Sequence, residues 1–71
     1  MPATVEIGQN WSTWVPSRRQ WLLTKVIHRA EGQATLQYDS RYKLGKGYDL
    51  QQADEDSMLT MPNLFRFVES A

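Results

Sequence analysis

Residues Gln20–Tyr38 read QWLLTKVIHRAEGQATLQY, and this stretch is the strongest indication of the fold class. In its second arm Ala34, Leu36 and Tyr38 alternate with polar residues, which is the period of two of a strand with one dry face and one wet face. The first arm is rich in the β-branched and aromatic residues that strands prefer. The stretch therefore predicts a β-hairpin in a small, mainly β protein.

The glycine of this hairpin indicates its turn. Gly32 stands third in the connection Ala30–Gly32, where a type I turn followed by a left-handed residue places a glycine. This turn predicts that Arg29 faces Gln33 and that Val26 faces Leu36. Cross-strand partners share a face, so the predicted dry face comprises Leu22, Thr24, Val26, His28, Ala34, Leu36 and Tyr38.

Length and composition limit the class of protein. A chain of 71 residues predicts a single domain, and so short a chain buries only about 60% of its unfolded surface. It has no cysteine, so no disulfide can add stability, and we expect self-association. The longest apolar run, Trp21–Leu23, is far too short for a membrane span. Met1–Ala3 lacks the features of a signal peptide, and we expect a cytoplasmic protein without membrane contact.

The charges are segregated along the chain although their total is zero. Residues 18–46 carry seven basic and two acidic side chains, a net charge of +5, whereas residues 47–71 carry one basic and five acidic side chains, a net charge of −4. Two outcomes follow. The segments form an electrostatic dipole if folding keeps them apart, or they neutralise each other if they fold together.

Outside the hairpin the pattern predicts short elements and no internal repeat. Residues 1–4 are expected to be loose. The predicted elements are an edge strand over Val5–Ile7, a strand or irregular aromatic segment from Trp11 to Val15, a turn at Pro16–Arg18, a loop over residues 39–47, a strand over Tyr48–Leu50 and an exposed acidic segment from Gln51 to Ser57.

The C-terminal segment fits two structures. Met61, Leu64, Phe65 and Val68 recur at the spacing of one helical face, and Pro62 is tolerated in a first helical turn. This favours a short helix. Either the apolar stripe of this helix or the exposed tryptophan would offer a seam for a homodimer. The alternative is a strand over residues 64–68, which the apolar and aromatic residues there also suit.

No motif of catalysis, metal binding or cofactor binding is present. His28 is the only histidine, and it has no cysteine or carboxylate at motif spacing. Asp54–Asp56 matches only two positions of the calcium-loop template. Gly45–Gly47 lacks the upstream glycine and the Ser/Thr of a phosphate-binding loop. We therefore expect no enzyme, no metal site and no cofactor.

Candidate binding residues come from the basic and aromatic segments. Trp14 is the tryptophan expected to be exposed as a recognition anchor. Bases and aromatic rings interleave in residues 41–48, a pattern in which cations meet phosphates and rings stack on nucleobases. The alternative is that the tyrosines pack on the sheet and the lysines only solvate the loop. The candidate set is Trp14, Arg18, Arg19, Arg41, Tyr42, Lys43, Lys46 and Tyr48.

The rhythm of short strands over residues 5–68, with an early aromatic cluster and a short closing element, resembles small SH3-like barrels, including the Tudor-like variety. The resemblance implies a barrel or a strongly bent antiparallel sheet with a short C-terminal helix. It also implies a non-enzymatic binding module for a protein partner or for a second copy of the chain. A nucleic-acid-binding module that uses loop 41–48 is the alternative function, and an open sheet covered by the C-terminal helix is the alternative fold.

Overall fold

The computed structural model describes residues 2–69 and shows one open antiparallel sheet of five strands with one short helix. The elements are β1 (Asn10–Val15), β2 (Gln20–Ala30), β3 (Gln33–Tyr38), a 3₁₀ turn (Ser40–Tyr42), β4 (Leu50–Asp54), α1 (Glu55–Thr60) and β5 (Phe65–Glu69). The strand order is β4-β3-β2-β1-β5, so β5 returns to pair with β1 and the two edges are β4 and β5. The predicted mainly β class is confirmed.

The predicted hairpin is β2 and β3, and its central register is confirmed because Val26 pairs with Leu36. The register then shifts between Val26 and His28, so Ile27 is a bulge residue. Beyond the bulge His28 pairs with Thr35 and turns to the outer face. The prediction that His28 points into the core is therefore wrong, and its side chain is exposed, because one extra residue exchanges the faces of all that follow.

The predicted turn geometry is also wrong. Ala30 pairs directly with Gln33, so the loop holds two residues instead of three. Glu31 and Gly32 both have positive φ, +52° and +77°, which is the pattern of a type I′ turn. Arg29 therefore does not face Gln33. The left-handed conformation expected of Gly32 is present, but in a tighter turn whose twist matches the strands.

The core lies on one face of the sheet, the inner face. Trp11 is completely buried on β1, and its ring meets the ring of Phe67 on β5 edge to face, with centroids 5.6 Å apart. Met58 of α1 is also completely buried and packs against the core where the chain passes from β4 to β5. The buried apolar residues are Val5, Trp11, Leu22, Val26, Ala34, Leu36, Ala53, Met58 and Phe65.

The N-terminal segment is not the predicted edge strand, because residues 5–7 form no strand. Val5 is nevertheless buried in the core. The buried side chain of Gln9 holds the segment: its Oε1 accepts hydrogen bonds from Trp11 Nε1 at 3.0 Å and from the Glu6 backbone N–H at 3.1 Å, while its Nε2 donates to the Thr4 carbonyl. The hydrogen bonds of the buried Gln9 side chain thus hold this segment, which has no strand pairing.

The acidic segment and the C-terminus differ most from prediction. The predicted strand over Tyr48–Leu50 is wrong except at its last residue, because β4 begins at Leu50 and continues through the predicted acidic segment to Asp54. The helix then covers residues 55–60. The predicted helix at residues 61–68 is wrong, and its alternative, a strand, is present. Phe65 pairs with Thr13 and Phe67 with Trp11, because the free edge of β1 offers backbone partners that local helical periodicity does not reveal.

Candidate functional site

The sheet gathers the basic loops at one end, the basic end. The antiparallel strands place the β1–β2 turn, the end of β3 and the starts of β4 and β5 together. Six basic and two acidic side chains lie there, a net charge of +4. These residues are Arg18, Arg19, Arg41, Lys43, Lys46 and Arg66, with Asp39 and Asp49.

The opposite end holds the hairpin turn, the end of β4 and the start of α1. It carries one base and five acids, a net charge of −4. These residues are Arg29 with Glu6, Glu31, Asp54, Glu55 and Asp56. Lys25 and Glu69 lie between the two ends, at the level of Asn10. The folded chain is therefore an electrostatic dipole, divided differently from the two sequence segments.

Arg29 neutralises part of the negative charge of this opposite end, the acidic end. The guanidinium of Arg29 donates from Nε to Glu55 Oε2 at 2.6 Å and from Nη2 to Glu55 Oε1 at 3.0 Å, and it also lies 3.5 Å from Glu6. The hydrogen bond from Arg29 lowers the pKa of Glu55 below its ordinary value. This bidentate pair joins the hairpin to the helix.

Two tryptophans meet on the outer face near the basic end. Trp14 on β1 and Trp21 on β2 are cross-strand partners, with ring centroids 5.6 Å apart and planes tilted by 60°. Both side chains are half-buried, whereas Trp11 is fully buried in the core. Trp14, the expected anchor, is thus one half of an aromatic pair that remains partly open to solvent.

Arg66 completes this cluster from a third strand. It lies opposite Ser12 on the outer side of β5, and its guanidinium reaches over the ring of Trp21, 4.2 Å from the centroid. Its Nε donates to the Pro62 carbonyl at 3.1 Å. Among residues 2–69 no carboxylate forms an ion pair with it.

The turn after β1 presents two further arginines. Arg18 and Arg19 are both exposed, and the backbone N–H groups of the two donate to Val15 and Pro16 carbonyls. Arg18 also acts on Tyr38: burial raises the pKa of this phenol, and the positive charge of Arg18 partly opposes the rise. The antiparallel pairing places this turn and the end of β3 at the same end of the sheet, so the turn belongs to the same basic surface.

Loop 41–48 divides into a structural part and an exposed part. Tyr42 is half-buried, and its Oη accepts the backbone N–H of Leu23 at 2.8 Å. Arg41 pairs with Asp39, Nε to Oδ1 at 3.0 Å, and this contact lowers the pKa of the carboxyl group. By contrast Tyr48 is 80% exposed. Lys43 and Lys46 are exposed as well.

A cleft of about 360 Å³ is lined by residues of β2 and β3, among them Lys25 and Gln37. Its wall also holds Asp39 and Asp49, and Gln37 Nε2 donates to Asp49 Oδ2 at 3.1 Å. One lysine and two carboxylates give an anion no net attraction. The anion-attracting surface is therefore the turn and the loop around the cleft and not its interior.

Sequence reasoning missed Trp21 and Arg66. A signal for Trp21 was available, since a dry face through Leu22 and Thr24 leaves Trp21 on the opposite side. Arg66 was hidden by the helical prediction. In a strand it alternates with Phe65 and Phe67 and must face outward when they face inward.

Comparison with protein-family models, with curated proteins and with solved structures found no match. Within residues 2–69 no group of three or more His, Cys, Asp or Glu side chains is placed to hold a metal ion. No helix in that part of the chain is both long and apolar enough to cross a bilayer.

Proposed function

We propose that this chain is a non-enzymatic binding module that contacts an anionic partner through its basic end. The observation that carries the proposal is the joint placement of six bases and the Trp14–Trp21 pair at one end of the sheet. Charge steers the approach of a partner, while partly exposed aromatic rings supply contact area at little conformational cost.

The architecture we propose for this module is an SH3-like barrel. Two features support it: β1 to β4 follow one another across the sheet as a meander, and β5 returns to pair with β1. Helix α1 carries the chain between the two edge strands, and its Met58 fills the interior.

A protein with an acidic segment is one candidate partner. The arginines of the basic end suit carboxylates, which their planar groups bind with two parallel hydrogen bonds. Nucleic acid is the second candidate, and the specific observation in its favour is the exposed aromatic surface of Trp14, Trp21 and Tyr48 among the bases. Both partners are polyanions that would use the same end of the module.

The test is a titration of uniformly labelled protein monitored by NMR. The two probes are poly-glutamate and a mixed pool of single- and double-stranded oligonucleotides. We expect backbone shifts confined to the basic end and a steep loss of binding with added salt. Replacing Arg41, Lys43 and Lys46 together with glutamine lowers the net charge of the basic end from +4 to +1. It should strongly weaken binding without unfolding the protein, because all three side chains are exposed.

The matched control removes two negative charges from the other end. Glu31→Gln combined with Asp56→Asn changes two exposed side chains there and should leave binding intact or strengthen it slightly. If neither polyanion shifts any resonance of the basic end at low salt, the proposal is wrong.

A further inference from the structure

We propose that the partner is single-stranded nucleic acid, with a nucleobase stacked on the Trp14–Trp21 pair and its neighbouring phosphates held by Arg66, Arg18 and Arg19. This inference rests on the proposed function and names its partner class. It is argued from a juxtaposition that no local sequence motif shows, since the five residues come from three strands and one turn.

The Trp14–Trp21 pair has the form of a stacking platform. The rings stand on adjacent strands of a regular sheet, so their positions are set by backbone pairing and not by a loop. Their 60° tilt means that one ring braces the other and that they do not stack face to face. Both side chains are half-buried and keep part of their surface open. Because the Arg66 guanidinium lies over the ring of Trp21, Trp14 offers the ring face on which a base stacks, as bases do in known single-strand binders.

Arg66 supplies a cation already in position. Its contact with Trp21 and the hydrogen bond from its Nε to Pro62 fix the plane of the guanidinium. These contacts use one donor of the five that arginine carries. The terminal nitrogens have no ion-pair partner among residues 2–69, so a phosphate beside the stacked base can accept two bonds from them.

Further phosphate positions extend to both sides of the platform. Arg18 and Arg19 lie in the turn that joins the two tryptophan strands. On the other side the hydrogen bond from Leu23 to Tyr42 holds loop 41–48 against β2, two residues from Trp21. Lys43, Lys46 and Tyr48 of this loop are all exposed. Cations and aromatic rings are thus both present on this surface, as phosphates and bases are both present along a strand.

The presence of both cations and aromatic rings on one surface distinguishes between the partner classes. An acidic peptide would satisfy the cations but offers no flat faces to the rings. A duplex offers phosphates but keeps its bases stacked inside, whereas in a single strand the base faces are free. The acidic end of the module repels a polyanion and so confines the strand to the basic end.

The experiment is fluorescence anisotropy with a labelled oligothymidylate of about 16 nucleotides, the upper site size of comparable single-strand modules. The protein is titrated at several salt concentrations, and so are three variants: Trp14→Leu, Arg66→Gln and Lys25→Gln. Lys25 is an exposed base on the outer face, away from the platform, and it is the control for loss of one charge. Circular dichroism checks that each variant is folded.

We expect Trp14→Leu to weaken binding roughly tenfold at every salt concentration, because stacking does not release ions. Arg66→Gln should reduce the slope of log affinity against log salt by about 0.7, the value for one phosphate contact to a single strand. The Lys25 variant should bind as the unchanged protein does. Trp14→Tyr, which keeps a stacking face, should restore most of the affinity lost in the leucine variant.

Two results would overturn the inference. One is poly-glutamate binding without oligothymidylate binding, which would leave the proposed function standing with a protein partner. The other is oligonucleotide binding that Trp14→Leu and Arg66→Gln weaken no more than Lys25→Gln, which would mean general attraction to charge and no built platform. Absence of binding to either polyanion would remove the proposed function as well.

Discussion

The backbone N–H of Leu23 donates to the phenolic oxygen of Tyr42 at 2.8 Å. Strand β2 extends beyond β3, whose pairing stops at Thr24 and Tyr38, so Leu23 has no partner residue in β3. The 3₁₀ turn takes over this role, since Asp39 N–H donates to the Leu23 carbonyl at 3.0 Å while the Tyr42 hydroxyl accepts its N–H. Tyr42 thereby links the loop to the sheet.

Removing this hydroxyl should destabilise the fold. Tyr42→Phe leaves the partly buried N–H of Leu23 without an acceptor, at a cost of about 1–3 kcal/mol. Urea unfolding followed by tryptophan fluorescence measures the loss. Tyr48→Phe is the matched control, because Tyr48 is 80% exposed, and it should leave the midpoint unchanged. Equal midpoints for the two variants would contradict the structural role of Tyr42.

A substitution at Glu31 in the hairpin turn should stabilise the protein. This residue has a φ of +52°, a left-handed conformation that costs an ordinary side chain about 1–2 kcal/mol and that asparagine tolerates better. Glu31→Asn should therefore raise the free energy of unfolding by about 0.5–1 kcal/mol. Gly32→Ala should act in the opposite direction, by about 1 kcal/mol, because Gly32 has a φ of +77°. A destabilising asparagine variant would exclude this turn.

The core should not tolerate loss of Leu36. Its side chain is completely buried at the centre of the sheet, opposite Val26. Leu36→Ala should cost about 2–5 kcal/mol, enough to unfold much of the protein, because small domains have little stability to spare. Circular dichroism with thermal unfolding checks this. A cooperative transition near that of the unchanged protein would place Leu36 outside the core.

The ion pair of Arg29 and Glu55 should make the free energy of unfolding fall as the pH is lowered. The pKa of Glu55 is lowered in the folded chain by the hydrogen bond from Arg29, so its contribution is complete above the ordinary glutamate pKa. It is lost as the pH falls through that value and through the lowered pKa. Glu55→Gln should therefore flatten the decline of the unfolding midpoint with acid.

Asp56→Asn is the control for this pH experiment. Asp56 is the next residue of the same helix, is exposed and forms no ion pair among residues 2–69, so the variant should keep the steep decline. Asp39, whose pKa Arg41 lowers, acts in the same direction and leaves some slope in the Glu55 variant. Identical profiles for both variants would contradict the role of the pair.

The homodimer expected from the sequence stays a prediction, but the proposed helical seam does not, since residues 65–69 form a strand. A two-fold dimer with antiparallel strand axes would bring the basic end of each copy beside the acidic end of the other. We therefore expect sedimentation at micromolar concentration to give a dimer mass that falls as salt is added. A monomer mass at low salt would reject the dimer.

Local patterns in the sequence predict the mainly β class and the central hairpin, because alternating apolar side chains and a glycine between two arms are visible within nineteen residues, Gln20–Tyr38. The sequence also indicates that Trp14 and the arginines after it lie apart from the core. These inferences need only neighbours in the chain. The predicted pairing of Val26 with Leu36 is present for a different reason: the bulge at Ile27 offsets a turn that is one residue shorter than predicted.

Elements whose conformation depends on residues far away in the chain could be assigned only from the folded structure. Residues 64–68 suit a helix and a strand almost equally, and the free edge of β1 decides for the strand by pairing Phe65 with Thr13. The bulge at Ile27 turned His28 outward, which no local pattern signals. The same pairings carried Arg66 to Trp21 and moved Arg29 to Glu55, because side chains from separate strands become neighbours only when the backbone ladders bring them together.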